Sequence, residues 1–391
     1  MRETSRHSLN ESDMSFEIQT LDAVANIARD KWNAVSGTRY PFLRHEFLDA
    51  LEASGSVSSA AGWSPCHLTL WQKGTLVGLM PRYRKDHSYG EYVFDWQWAD
   101  AWERAGGEYY PKGLTAIPFT PAYGPRLALA EGIDQRTAMD AIGAYCRRQP
   151  EQSWHLLFPT ADEASAWQQN WPQLLERHGV QYHWQDRDYG DFEGFLAHFT
   201  SKRRKELRRE RRKVADQGLN MRRLRGAEIS RDDLEHFYRC YQITYLERGQ
   251  QGYLNFEFFA RLLVSMPEAL MLIQAQEEGR PVAAALCFEG GDTLYGRYWG
   301  SEVAADCLHF ETCYYQGIDY CLEHGLKRFD PGTQGEHKIP RGFEPVLTRS
   351  LHWLADHRFR EAVDDFLERE RPAMAEHLVA ARTLLPFHRQ S

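Results

Sequence analysis

No two of the seven cysteines (Cys66, Cys146, Cys240, Cys287, Cys307, Cys313 and Cys321) stand in a C-x-x-C pair. An odd and scattered set argues against a disulfide framework or a zinc-ribbon site, and for a reducing compartment. Long apolar runs are missing too, since stretches such as VAAALCF are far too short to cross a bilayer. No basic start followed by an apolar segment marks a secretory leader, so the expected localisation is cytoplasmic. The opening MRETSRHSLNESD has no pattern; residues 1–14 are expected to form a loose tail, with Met14 an alternative start. The sixteen histidines show neither H-x-x-x-H nor H-E-x-x-H, and no metal is expected. A net charge of −8 excludes polycationic character for the chain as a whole.

What is present reads as globular. Apolar residues make up 42% and charged residues 26% of 391 positions, enough for one large domain or two ordinary ones. Twelve tryptophans and nineteen tyrosines favour broad packed surfaces or a sizeable groove. One order of elements occurs twice. In the first half a helix (EFLDALEASG) precedes two strands, HLTLWQKG and TLVGLMPRYRK, that meet at a lysine-glycine turn. A Pro- and Gly-broken strand follows, then a helix (DQRTAMDAIGAYCRRQ), a strand (SWHLLFP), a helix (EASAWQQNWPQLLERHG) and a strand (VQYHWQD). In the second half come a strand (NMRRLRG), a helix with Ser230 and Asp233 spaced as a capping box, and a further helix. Three tightly turned strands, the helix LHFETCYYQGIDYCLEHG, the strand LKRFD, the strand TRSLHWLA and an amphipathic helix from about Phe359 to Ala381 complete it.

This order predicts a mixed α/β chain of two tandem GNAT-like acyltransferase modules, each a mostly antiparallel sheet flanked by helices. The expected division is 15–190 for the first module, 191–218 for a basic connecting segment and 219–391 for the second. Three long stretches add residues to that pattern: KDHSYGEYVFDWQWADAWERAGGEYYPKGLTAIPFTPAYGPRL, SKRRKELRRERRKV and LHFETCYYQGIDYCLEHGLKRFDPGTQGEHKIPRGF. Together they resemble the FemAB-like family of N-acyltransferases, of the peptidoglycan biosynthesis/recognition type. The resemblance runs over about residues 15–385. It implies a double GNAT-type fold, related to enzymes that add amino acids from aminoacyl-tRNA to cell-wall precursors, and leaves the substrate open.

Within FDPGTQGEHKIPRGF, the loop leaves the carboxyl end of a strand, where α/β folds bind ligands. Acyl transfer to an amine needs a base and donors aimed at the developing oxyanion. His337 is the best local base. Glu336 beside it, a further catalytic candidate, favours the protonated ring and Lys338 the neutral one, so spacing alone leaves the sign of its shift open. Lys338 and Arg341 suit a carboxylate or phosphate on a substrate. In LHFETCYYQG a helical period places His309, Thr312 and Gln316 on one line and Glu311 with Tyr315 on another; His309 and Glu311 are further catalytic candidates and Tyr315 a substrate contact. In a GNAT module this helix start receives the coenzyme A pyrophosphate, but a glycine-rich loop is missing, and GSEVAAD brings Glu302 and Asp306 there instead.

The first-half stretch mixes Lys85, His87, Glu91, Asp95, Trp98 and Asp100, the composition of a small-molecule pocket. Lys112 and Arg126 are candidates for gripping an anionic donor or acceptor. Residues 202–213 hold nine lysines and arginines against two glutamates, a local charge of +7. Lys202, Arg203, Arg204, Arg208 and Arg211 are the candidates for nucleic-acid contact, which a tRNA donor would need; a solvated connecting helix is the plainer reading.

The leading expectation is an N-acyltransferase moving an acyl or aminoacyl group to an amine, with a small-molecule or cell-wall-precursor acceptor and aminoacyl-tRNA or an acyl-CoA as donor. The competing readings are an acyl-CoA-dependent small-molecule N-acetyltransferase and a non-catalytic module that binds cell-wall fragments.

Overall fold

Two-residue turns with positive φ at both centres close the expected hairpins, at Lys73–Gly74 (φ 51 and 77) and Glu278–Gly279 (φ 50 and 80). That geometry follows the right-handed twist of the strands it joins. They belong to a computed structural model that describes residues 16–333 and 335–388; the expected tail over 1–14 therefore lies outside the described residues. The helix Arg231–Leu246 starts at the expected capping box: Asp233 N–H donates to Ser230 Oγ (3.1 Å) and Ser230 N–H to Asp233 Oδ2 (3.0 Å).

One expected helix is shorter than its pattern. Ala161–Asn170 ends where Trp171, preceding Pro172, leaves the helical region (φ −135, ψ 78). The following LERHG is strand: it joins VQYHWQ in Leu175–Gln185, where residues 175–179 pair with residues 348–352.

Among the described residues eleven strands form one sheet. Their spatial order is Leu219–Arg225, Leu270–Glu277, Arg280–Gly290, Thr293–Ser301, Arg328–Asp330, Leu175–Gln185, Glu344–Leu354, Ser153–Leu157, Lys112–Thr115, Tyr83–Lys85 and Trp63–Pro65. A smaller sheet joins Glu17–Leu21, His67–Gln72, Thr75–Met80 and Ala128–Leu129. Each half contributes one parallel pair, Lys112–Thr115 with Ser153–Leu157 and Thr293–Ser301 with Arg328–Asp330; the other pairings are antiparallel.

Beyond each parallel pair the next strand comes from the other half of the chain. Ser153–Leu157 is followed by Glu344–Leu354, and Arg328–Asp330 by Leu175–Gln185. The division at residue 219 thus cuts through exchanged strands, and the C-terminal strand is housed in the first half's sheet.

Aromatic packing ties the halves further. Phe47, on the helix His45–Ala53, meets Phe258 at 5.7 Å and Phe288 at 5.6 Å edge-on, and Phe42 meets Tyr295 at 5.0 Å. Phe42, Phe47, Phe258 and Phe288 are fully buried, each contributing about 1.5–3 kcal/mol of burial. No described helix is long and apolar enough to cross a membrane.

Candidate active site

The parallel pair in the second half is short. Thr293, Leu294 and Tyr295 register with Arg328, Phe329 and Asp330, and the strands then part at Gly296 and Pro331. A bulge at this point, where pairing with Arg280–Gly290 shifts between Leu286 and Cys287, turns Arg297 toward the gap. Arg297 Nη2 donates to Asp330 Oδ2 at 2.6 Å, and both side chains are almost wholly buried. Burial alone raises a carboxyl, but the Arg297 charge and the Gly332 N–H (2.9 Å) outweigh it and hold Asp330 well below the carboxylate range. The loop therefore leaves the sheet from a fixed ionic anchor.

Lys338 and Arg341, expected to meet a substrate anion, complete that anchor. Lys338 is buried; its Nζ donates to Gly332 O at 2.6 Å, and burial pulls the ammonium down to about 8. Arg341 lies 3.4 Å over the Phe310 ring, donates to both carboxylate oxygens of Glu210 (2.7 and 3.1 Å) and to His337 O (2.5 Å). Both cations brace the 3₁₀ helix Glu336–Arg341 from inside, so neither is presented to a ligand.

His337 is left at the surface of this braced turn. Its Nε2 lies 2.7 Å from Tyr314 Oη, and Nδ1 has no hydrogen-bond partner among the described residues. The ring lies against Gly335 (φ 108), where a Cβ would fall 2.0 Å from Cε1. Only glycine leaves room for the imidazole there. His309 packs edge-on to Trp299 (5.4 Å), Tyr314 (5.3 Å) and His337 (6.1 Å between centroids). Burial, then the charges of His337, Lys338 and Arg341, pull His309 down to about 4. Desolvation first, then Lys338 and Arg341, also lower His337. The sign that spacing left open is settled by the neighbours: both rings are neutral bases at neutral pH. Glu336 is exposed and lies 4.0 Å from His377, on the C-terminal helix His357–Thr383.

A π-turn over Glu311–Tyr315 explains why the helical lines read from sequence do not hold. The extra residue brings Gln316 Nε2 to Glu311 Oε1 at 2.8 Å, a five-residue step, and turns Tyr314 to His337. Glu311 is buried against Arg211 (2.9 Å), and Tyr315 donates to Glu210. Both tie the helix to the basic segment; neither is open to a substrate.

The first-half candidates also lie inward. Lys112 is fully buried, donating to Ser88 (2.7 Å), Glu91 (2.8 Å) and Asp95 (2.5 Å), with Tyr109 on the same Asp95 oxygen (2.7 Å). Lys85 sits 4.0 Å over Trp63 with Nζ 3.1 Å from His87 Nδ1, and burial pulls it down to about 7. Burial likewise pushes Glu91 up to about 7. Trp98 packs on His352 (4.8 Å), while Asp100 faces solvent. Arg126 has no exposed surface and donates to the carbonyls of Ala122, Gly124, Pro125 and Leu157, locking the loop it was expected to present. Glu91 and Asp95, both bound to Lys112, flank Tyr92, Val93 and Phe94 in the chain. Those three residues between them line a cleft of about 270 Å³ whose other walls include Gly179, Thr348 and Thr333, the last from the His337 loop. The first-half stretch and the one that holds His337 thus meet at one cleft, through residues that sequence reasoning passed over; an apolar triplet between charged neighbours gave no chemical signal.

The basic helix Ser201–Asp216 has two kinds of cation. Arg203 pairs with Glu206 (2.7 Å), Arg208 with Glu193, Lys213 with Asp306 (2.5 Å), and Arg211 with Glu311 and Asp319 (2.7 Å). Lys202, Lys205, Arg209 and Arg212, spaced by three or four, are exposed and have no ion-pair partner among the described residues. Arg204 is half-buried.

Strands that part after a three-residue parallel pairing, repeated as one parallel pair in each half, define a tandem GNAT-like fold. The solved structures agree in fold. FemX superposes with a TM-score of 0.52 at 11% identity, covering 89% of this chain and all of that one. The C-terminal domain assigned as a lysylphosphatidylglycerol synthetase from Agrobacterium fabrum gives 0.50 at 9% identity, covering 87% and 95%. No curated protein sequence matches the chain. Residues 23–389 match the FemAB-like family, described as peptidoglycan biosynthesis/recognition, and the chain belongs to that family.

Proposed function

We propose that this protein is an N-acyltransferase that moves an aminoacyl group onto an amine of a peptidoglycan precursor. The family's peptidoglycan description supports the acceptor class, and the observation that carries the chemistry is the neutral, Tyr314-held imidazole of His337 where the two strands part.

With Tyr314 Oη accepting from Nε2–H, the free lone pair is on His337 Nδ1. It takes a proton from the acceptor ammonium, so that the amine nitrogen can attack the donor carbonyl. The C–N bond forms as the carbonyl electrons move to oxygen, where main-chain N–H groups at the strand edge beyond Gly296 are the available donors. The imidazolium releases that first proton to solvent, Nδ1 takes the second from the nitrogen of the adduct, and collapse breaks the bond to the leaving oxygen, which receives that second proton from the imidazolium. His309, lower in basicity and packed behind, keeps that side of the ring apolar.

Aminoacyl-tRNA is the donor this reading favours. The open stripe of Lys202, Lys205, Arg209 and Arg212 spans about 15 Å of helix, suited to successive phosphates. Just before Leu308–Phe310, where a GNAT module would hold pyrophosphate, stands Asp306, while the Glu302 side chain turns to the helix Arg231–Leu246.

The test is mass spectrometry of a muropeptide precursor incubated with the protein and charged tRNA. A mass increment of one amino-acid residue, absent with His337→Ala, is expected. An unmodified acceptor across the charged tRNAs, or the same increment from an acyl-CoA, would overturn the reading.

A further inference from the structure

Away from the strand divergence, the helix Arg231–Leu246 packs across the strands Arg280–Gly290 and Thr293–Ser301 and turns two donor atoms toward a third at the strand end. His236 Nε2 lies 3.5 Å from Cys240 Sγ and 3.8 Å from Glu302 Oε1, and the three ligand atoms all fall within 4.8 Å of one another. His236 and Cys240 are four residues apart, so one helical turn stacks them on the same face. Glu302 comes from the end of the strand Thr293–Ser301. Its reach depends on an unusually close approach of strand to helix: a Cβ at Gly300 would fall 1.8 Å from Cys240 O, so only glycine lets the backbones come together. Thr244 Oγ1 fastens the same contact by donating to Trp299 O at 2.8 Å.

We propose that His236, Cys240 and Glu302 form a binding site for one divalent zinc-class cation, with a fourth position open to water on the Glu302 side. The donor set is the imidazole, thiolate and carboxylate that zinc prefers, and three protein ligands leave one vacancy. Tetrahedral bonds of about 2.0 Å to nitrogen and 2.3 Å to sulfur set an N···S edge of about 3.5 Å, the separation found between His236 and Cys240. The N···O edge, at 3.8 Å, needs a contraction of a few tenths of an ångström, and the S···O edge, within 4.8 Å, of up to about 1 Å, which rotation of the exposed Glu302 side chain would supply. His236 is 2% exposed and its Nδ1 has no hydrogen-bond partner among the described residues, so packing alone holds the ring with Nε2 on the site, without the acceptor on the second nitrogen that metal-bound imidazoles usually have.

Arg239 is the competing cation, its Nε 3.4 Å from the same Glu302 oxygen, but its side chain is 58% exposed and free to swing into water. Binding replaces the Cys240 thiol proton with the metal, and the proton leaves to solvent. The site would clip the helix to the strand end. It is independent of the transferase reading, and it revises the expectation of no metal: a search for paired histidines does not register an H-x-x-x-C step.

Cobalt is the probe, because a Co²⁺–thiolate bond absorbs in the near ultraviolet and tetrahedral Co²⁺ has intense visible bands. The full-length protein, stripped with chelator, is titrated with Co²⁺ and then Zn²⁺. One equivalent of Co²⁺ giving both signals, displaced by Zn²⁺, is expected. The charge-transfer band should vanish in Cys240→Ser, and affinity should fall at least tenfold in His236→Gln. Should Cys240→Ser fail to fold, Arg239→Ala decides: removing the competing cation is expected to tighten binding several-fold. No thiolate band in the wild-type chain, a band that survives Cys240→Ser, or affinity unchanged or weakened in Arg239→Ala would overturn the site.

Discussion

The phenol oxygen of Tyr314 lies 2.7 Å from Nε2 of His337, across a π-turn on one side and a glycine-seated 3₁₀ turn on the other. Replacing Tyr314 by Phe removes this hydrogen bond without changing the ring's volume. A neutral hydrogen bond is worth about 0.5–1.5 kcal/mol, so turnover is expected to fall roughly two- to tenfold, with KM for the acceptor unchanged. Steady-state kinetics on the variant check it.

The pH profile follows from the sign of the His337 shift. Desolvation and the Lys338 and Arg341 charges lower its pKa, so the ring is an unprotonated base above a midpoint below the ordinary value of about 6.5. The rate should be flat near neutrality and drop as pH falls through that lowered midpoint. A rate that first drops above pH 7 would place the essential base elsewhere.

Gly335→Ala tests the seat of the imidazole. Its φ of 108 strains any L-residue, and the new methyl overlaps the His337 ring. The strain costs about 1–3 kcal/mol, and the ring must leave its position. Activity should drop more than tenfold while circular dichroism stays native, a separation that thermal melts and kinetics on one sample can show.

Asp330→Asn leaves Arg297 buried without its counter-charge. Breaking a buried pair from one side costs about 3–5 kcal/mol, readable by urea denaturation. Because the folded pKa of Asp330 is depressed, its contribution is complete above the unfolded value of about 3.9 and is lost as pH falls through the folded one. The gap between wild type and variant should therefore be constant near neutrality and close only in strong acid.

The two faces of the basic helix should behave differently toward RNA. Lys202, Lys205, Arg209 and Arg212 changed to Gln together should lower affinity for tRNA and reduce the log–log salt slope by roughly three, at about 0.7–0.9 per phosphate contact. Arg203→Gln with Arg208→Gln, whose charges already have acid partners, should change the slope little. Fluorescence anisotropy at several salt concentrations separates the two sets.

Local rules made most elements legible: the two positive-φ hairpins and the Ser230 capping box stand where residue type demands them. What stayed hidden was non-local. Nothing in LERHG says that residues 348–352 wait to pair with it, and pairing outweighs the helical propensity of the segment. The exchange of strands between halves is invisible for the same reason. At the candidate site, sequence picked out His309 and His337, because imidazoles near a strand end are few. It misjudged Lys338, Arg341, Lys112 and Arg126, because a cation's role depends on whether an acid or carbonyl meets it inside the fold. Glu210, five residues before Ala215 on the basic helix, holds both Arg341 and Tyr315, and no motif marks it.

Single-turnover transfer from a pre-bound donor, compared between wild type and His337→Ala, tests the central claim most directly. A base that takes the amine proton predicts a chemical step slowed at least a hundredfold, with donor affinity unchanged. An undiminished rate in the variant would show that some other group removes that proton, and the account of this loop would fail.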